Sequence, residues 1–454
     1  MVRKLDRVDA TKGSLFKLII IYSVPLICSS LIQNMFNAVD LVVLGNMADS
    51  TAVASVGATT AIIHLLVNGF IGIAGGTRII LAHQIGAKDK EGTKRSIDTS
   101  IIMALFIGIL VAVVGIVFAP FFLRVTNCPK DCFDGAVIYI RIYTAAAPAI
   151  LLYNFGSAIL NASGDTKRPL YYIIASGFLN AILNVILCLV LPIKVVAVAV
   201  ATASSQILGA ILVFKRLCNE DLEEKVEPLH MQWNWSSCGK VLRQGVPLML
   251  TNMLYPFANL QIQSAVNSFG VSATAGSSVC TTIDGFVNSF TNPFATTVTT
   301  FMGQNIGAKQ PKRVKRSLWY CLILAVVMGF GLGWSVYLTG RFWIRLIVPG
   351  DPAAVEFGLI KMFYVTSFYG VQGANAVLGH SIQTYGYPIF STVNSVFFVL
   401  CFRMIWMTFV FPYFKTFECL MACFTVSWLL MAVVNVFGSL FFGIRYNKGK
   451  YKNI

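Results

Sequence analysis

The chain predicts an all-α integral membrane protein of twelve transmembrane helices, arranged as two pseudosymmetric six-helix lobes. Three observations predict this. Of 454 residues, 56% are hydrophobic and only 12% charged, with a mean hydropathy of +0.73, whereas soluble domains carry about a quarter charged residues. Apolar runs of roughly twenty residues or more, enough to cross a hydrocarbon core as helix, recur between charged or turn-rich breaks. Finally, the second half repeats landmarks of the first at a nearly constant offset. A β-barrel would need short alternating segments, and these runs are continuous.

In the first half the runs lie near 15–44, 53–82, 97–123, 136–160, 170–191 and 195–214. In the second they lie near 241–268, 273–303, 318–343, 355–379, 388–411 and 418–443. The first follows a basic start (Arg3, Lys4, Arg7, Lys12) and is too long for the apolar core of a cleavable signal, so it is expected to remain as an anchor. It contains Pro25 and Asp40. A carboxylate at membrane depth costs about 2.5 kcal/mol or more and usually faces protein or a water-filled cavity, marking an ion or proton pathway. The other reading ends the helix early and leaves Asp40 among headgroups. Pro25 has no backbone donor and crowds the carbonyl of Ile21, which makes it the candidate hinge.

The longest polar break, 215–240, holds Trp233 and Trp235 and reads as a cytoplasmic linker between an N-lobe, 1–214, and a C-lobe, 241–454. The two lobes repeat each other. HQIGAKDKEGTKRS at 83–96 matches QNIGAKQPKRVKRS at 304–317, pairing Gly86 with Gly307. At nearly the same offset Pro25 pairs with Pro247, Pro169 with Pro388, Thr202 with Thr425 and Ser204 with Ser427. Because six helices separate the copies, both halves should cross in the same direction, related by an axis along the membrane normal, as in many secondary transporters.

Charge gives the orientation. The termini and the breaks after even-numbered helices hold most of the lysines and arginines, while the other side has only Arg124, Lys130, Arg141, Lys194, Arg341, Arg345, Lys361 and Lys415. By the positive-inside rule both termini and the linker are cytoplasmic, in a multi-pass protein of the plasma membrane. The net charge of +16 then needs no nucleic-acid partner, since most of it sits where it orients helices beside anionic lipid.

The pattern Pro25…Asn37-Ala38-Val39-Asp40…Gly45, the IGAK turns at 85–88 and 306–309, and the stretch from Asn161 to Pro169, NASGDTKRP, resemble the multidrug and toxic compound extrusion (MATE) family. The resemblance covers essentially the whole chain and is greatest to the branch that includes the DNA-damage-inducible F-type proteins. It implies secondary active multidrug efflux by proton or sodium antiport, exporting amphipathic, often cationic compounds through alternating access of two lobes. It also implies a cation-coupling site at Asp40, Asn180 and Thr202. Asn184 stands where many relatives have a second aspartate, a departure that removes one negative charge but leaves oxygen ligands for sodium. The acids that another branch carries on its seventh and tenth helices are missing. Asn259, Gln261, Gln263, Gln372 and Asn375 stand on those helices, so coupling is expected to rest on the first half.

A second carboxylate, Asp284, lies inside the eighth run, and the repeat offset places it beside His64 on the second. The pair either faces one central cavity, attracting cationic substrate or relaying protons, or Asp284 is neutral or paired and packs helices. Arg403 is either its partner or a separate interfacial anchor. Phe36, Asn37, Tyr255, Asn259, Phe368 and Gln372 complete the candidate substrate cavity, with Tyr143, Phe155, Phe286, Tyr364 and Tyr369 as further aromatic faces for organic cations.

The eleven cysteines form no metal pattern. Cys128 and Cys132 offer a small disulfide loop, but the others are scattered through apolar runs, and neither metal nor disulfide is expected. Without a Walker phosphate loop ATP is not the expected energy source, and without GxSxG or HExxH constellations no enzyme is expected. No cofactor is expected beyond the coupling proton or sodium ion, and the chain is expected to act as a monomer. The alternative function is a lipid-linked sugar or lipid flippase of the same wider superfamily, which calls for a strongly basic cavity. A channel would need filter loops or rings of charge.

Overall fold

The computed structural model describes residues 7–47, 50–126, 128–219 and 225–449, and among them helix is the only regular secondary structure. The six passes of the first half are Leu15–Met47, Ser50–Gly86, Lys90–Val125, the pair Lys130–Ala145 and Ala147–Ala162, Lys167–Val190 and Lys194–Leu217. The seventh pass is Trp235–Ser268, the eighth the pair Val271–Thr291 and Pro293–Gly307, and the ninth Pro311–Leu338. The tenth joins Pro352–Tyr364 to Tyr369–Thr384 through a 3₁₀ turn, Thr366–Phe368, and the last two are Pro388–Phe414 and Phe417–Asn447.

Among the described residues eight of these helices are long and apolar enough to cross a membrane unaided, and the fourth pass, bent by 46° at its break, makes a ninth. The seventh, eighth and tenth do not pass this test. Their apolar runs are interrupted by Asn252, Gln261, Gln263, Asp284, Lys361 and Gln372. Every run expected from the sequence corresponds to one pass, and most extend further at their ends, but the ninth stops at Leu338, short of the expected 343, and is followed by a separate short helix, Gly340–Ile347. The sixth helix reaches Leu217 and the seventh begins at Trp235, so ordered helix occupies both ends of the 215–240 stretch.

The internal repeat is written into the backbone. Lys88 and Lys309, the last residues of the two IGAK turns, both adopt left-handed conformations (φ 58° and 54°), in which each amide donates back to the carbonyl three residues earlier, Ile85 and Ile306. Gly164 and Gly386 likewise share positive φ (85° and 92°) ahead of the fifth and eleventh helices. Left-handed geometry of this kind ends a helix by capping its last carbonyls.

The fourth and tenth passes are broken at equivalent points for different reasons. Pro148, near the start of the second piece of the fourth, cannot donate to the preceding turn. The tenth has no proline at its break. There Ser367 Oγ donates to Phe363 O and Thr425 Oγ1 to Tyr364 O, supplying hydroxyl donors to carbonyls next to the break. Neighbouring helices approach both breaks closely: a Cβ added at Gly108 would lie 2.4 Å from Pro148 Cα, and one at Gly329 would lie 2.7 Å from Gly370 Cα.

Packing sorts the chain into two compact units, one comprising Leu31–Met249 with the segment before Ala10, the other Ala10–Ser30 with the chain from Leu250 on. The first helix is therefore shared between them. Its early part is fixed in the second unit by Tyr22 Oη and Ser23 Oγ, which hydrogen-bond to Thr300 Oγ1 (2.9 Å) and Thr297 Oγ1 (2.8 Å). Arg313 clamps the entry to that helix by donating to the carbonyls of Ala10, Lys12 and Gly13. Pro25 lies five residues before the change of unit, and Ser29 Oγ donates to its carbonyl at 2.8 Å.

Candidate functional site

In the first unit the fifth and sixth helices bring together three of the four expected coupling residues. Asn180 and Asn184 are one turn apart and therefore share a helix face. Asn184 Nδ2 donates to Asn180 Oδ1 at 3.1 Å, and Asn180 Nδ2 reaches Thr202 Oγ1 at 3.5 Å, the outer limit of such a bond. Both asparagines are buried. Amide and hydroxyl oxygens of this kind suit a hard cation such as sodium, but they bring no charge of their own. Among the described residues no group of three His, Cys, Asp or Glu side chains gathers anywhere. The side chains of Asp40 and Asn37 lie outside the described residues, and their backbone belongs to the first helix.

The expected cavity residues of this unit fare differently. Phe36 packs edge-on against Phe178 (6.0 Å between centroids) and occupies the space left by Gly177, where an added Cβ would be 1.9 Å from its ring. Phe155 is wholly buried and Tyr143 nearly so, which makes them core rather than cavity wall. His64 is exposed, whereas Asp284 is 7% exposed. The offset that pairs these two positions in sequence does not give them like environments.

In the second unit Asp284 Oδ1 accepts from Thr366 Oγ1 at 2.7 Å, at the break of the tenth helix. Ser277, Thr281 and Asp284, spaced four and three residues apart, form one face of the eighth helix. Toward that face the tenth helix sends Lys361, whose ammonium donates to Ser277 O (2.9 Å), Ser277 Oγ (2.9 Å) and Thr281 Oγ1 (2.7 Å). Lys361 had counted among the few cations of the outer membrane face. It is instead 8% exposed, inside the helix contact.

Arg403 takes neither expected role. It is buried, donates to Ser427 Oγ at 3.2 Å and Asn259 Oδ1 at 3.1 Å, and lies 4.3 Å from the centroid of the Phe424 ring. Tyr255 packs against the Ala258, Val399 and Met431 core, and Phe368 against the cluster around Phe417 and Trp428. Gln372 is half-buried on the second piece of the tenth helix. A chain of amides went unanticipated: Asn394 Nδ2 donates to Asn435 Oδ1 (2.8 Å), Asn435 Nδ2 to Asn375 Oδ1 (3.1 Å), and Asn375 Nδ2 to Trp428 O (2.9 Å). The signals available for these were single polar residues inside apolar runs: Lys361 between Ile360 and Met362, Asn435 between Val434 and Val436. The Cys128 and Cys132 sulfurs stand 3.8 Å apart as free thiols.

A family model described as MatE matches the chain twice, over residues 25–186 and 247–407, in the register that pairs Pro25 with Pro247. The chain is 25% identical over 378 residues to the probable multidrug resistance protein YpnP of Bacillus subtilis (strain 168), covering 83% of this chain and 84% of that one. It is 22% identical over 351 residues to the multidrug export protein MepA of Staphylococcus aureus (strain NCTC 8325 / PS 47), covering 76% of each. The fold matches an outward-facing conformation of a multidrug resistance MATE family transporter of the MOP superfamily with a TM-score of 0.86 at 18% identity, over 98% of this chain and 99% of that one.

Proposed function

Because the chain belongs to the MatE family of membrane transporters, we propose that it is a secondary active exporter of amphipathic, often cationic compounds, driven by inward movement of protons or sodium. The observation that carries this reading is the contact set of Asn180, Asn184 and Thr202 in the first unit, with both asparagines buried; Asp40, in the sequence of the first helix, is the charged member we assign to it. Multidrug transport is what the names of its relatives describe. We read the charges as putting both termini and the 215–240 stretch on the cytoplasmic side of the plasma membrane.

In this reading ion binding at Asp40 and substrate binding compete, so that the ion gradient drives substrate out. A ligand shifts a two-state equilibrium only through its differential affinity for the two states. Proton or sodium binding changes how Asp40 engages Asn180 and Thr202, and the first helix answers by changing its bend near Pro25. That helix is a suitable carrier of the change because its early part packs in one unit and its later part in the other. The two lobes then alternate access to the two faces of the membrane.

The test is efflux from dye-loaded proteoliposomes under imposed pH and sodium gradients. Efflux that follows one of these gradients, collapses with an ionophore and ignores ATP is the expected result. Equal efflux with no gradient contradicts antiport.

A further inference from the structure

The second unit buries a whole cation coordination set around a lysine. The Lys361 ammonium has three N–H donors, and three oxygens receive them at 2.7–2.9 Å: one backbone carbonyl and two hydroxyls, all from the eighth helix. One turn further along that face stands Asp284, on which Lys361 acts electrostatically. The other ionisable side chains that interact with Asp284 are those of Cys280 and Tyr369. A carbonyl, two hydroxyls and a nearby carboxylate are also the oxygens that bind a small hard cation.

We propose that Lys361 is a tethered cation: its ammonium occupies a site, built by Ser277, Thr281 and Asp284, that without it takes a small monovalent cation such as sodium. The four-carbon stem delivers a compact charge from the tenth helix to the eighth. Lys361 lies just before the break of the tenth helix and Thr366 just after it, so the two anchors, ammonium on oxygens and hydroxyl on Asp284, hold both sides of the break to one helix face. The second unit then carries its cation permanently and needs none from solution. This deepens the antiport reading, whose coupling it confines to the first unit, while its test requires no transport.

The experiment is thermal unfolding of the purified full-length protein in detergent, at constant ionic strength, with N-methylglucamine chloride exchanged for sodium chloride or n-propylammonium chloride. Wild type should melt alike in N-methylglucamine and propylammonium, and any rise it shows in sodium belongs to the first-unit site and is subtracted. Lys361→Ala should melt lower in N-methylglucamine and recover by about 3 °C or more in millimolar sodium or propylammonium, the increment expected when a ligand binds only the folded state. Adding Asp284→Asn should remove that response and return part of the lost stability. An identical cation response in wild type and Lys361→Ala, or a response beyond that of wild type that persists in the double variant, overturns the proposal. If Lys361→Ala does not fold, Lys361→Met and Lys361→Met/Asp284→Asn decide. Recovery of folded protein in the double variant supports a matched pair of charges, and failure of both overturns it. A negative result leaves antiport standing, and failure of gradient-driven efflux leaves this assignment standing.

Discussion

The two units follow one six-helix plan yet place different buried polar groups within it. Their turns agree down to the left-handed lysines at 88 and 309 and the positive-φ glycines at 164 and 386. Their fourth and tenth helices break at equivalent points against equivalent glycines. Between the fifth and sixth helices, however, the first unit packs neutral amides and a hydroxyl, Asn180, Asn184 and Thr202. The second buries full charges at Asp284, Lys361 and Arg403, each held by hydroxyl or amide partners. The difference teaches that turn geometry and close helix approach define the architecture, while buried polar groups are free to diverge between copies.

The largest effect should separate the units outright. Asp40→Asn is expected to abolish gradient-driven efflux with the fold intact, read as dye transport at matched expression. Wild-type efflux from that variant would erase the functional contrast. Asp284→Asn should act on stability instead. It removes the carboxylate on which Lys361 acts electrostatically and the acceptor of the Thr366 hydroxyl, a loss visible in a melting curve. Unchanged melting would mean that Asp284 does not balance Lys361.

Pro25→Ala restores a backbone donor to the first helix and should slow transport without lowering expression. Spin-label distances along the helix, expected to shift with pH in wild type, should become insensitive to it. Normal transport through a pH-insensitive helix would remove bending from the cycle. Asn184→Asp narrows the contrast by giving the first unit a second carboxylate. About tenfold tighter sodium binding is expected from the added charge, measured as the sodium concentration that half-stimulates efflux, and no change would mean that Asn184 is not a ligand.

The smallest effect lies outside the membrane. Asp351 caps the tenth helix by accepting from Ala354 N at 3.0 Å, and that bond, with a lesser contribution from the Ser272 side chain, holds its carboxyl below the usual carboxylate range. A lowered folded-state value contributes stability above the unfolded pKa, about 3.9, and loses it as pH falls through the folded one. Asp351→Ala should therefore melt slightly below wild type at neutral pH and match it in acid. A difference that persists in acid would assign it to packing instead.

Much of this was legible in the chain. Hydropathy located all twelve passes, and the IGAK and proline landmarks located the repeat. Motif matching found Asn180, Asn184 and Thr202, which the fold then places in contact. What escaped depended on partners distant in sequence. Lys361 reads as a boundary charge because nothing nearby in the chain reveals that Ser277 and Thr281, some eighty residues earlier, offer it oxygens. The break in the tenth helix carries no proline to announce it, and the carbonyls beside it are met by hydroxyls of Ser367 and Thr425. The repeat offset suggested that His64 and Asp284 are equivalents, yet one is exposed and the other buried, since an offset aligns positions and not the faces they present. The division of the first helix between two units follows from tertiary bonds such as Tyr22 to Thr300, which no local pattern encodes.

Competition at Asp40 is the central claim, and proton release tests it most directly. Purified protein in weakly buffered, sodium-free detergent solution is titrated with a cationic dye substrate while a pH indicator records protons. With proton coupling, wild type should release protons as substrate binds, and Asp40→Asn should bind substrate with no release. With sodium coupling, the same titration in sodium should show that substrate affinity falls as sodium rises in wild type and is indifferent to sodium in Asp40→Asn. Identical behaviour of wild type and Asp40→Asn in both titrations would contradict the account.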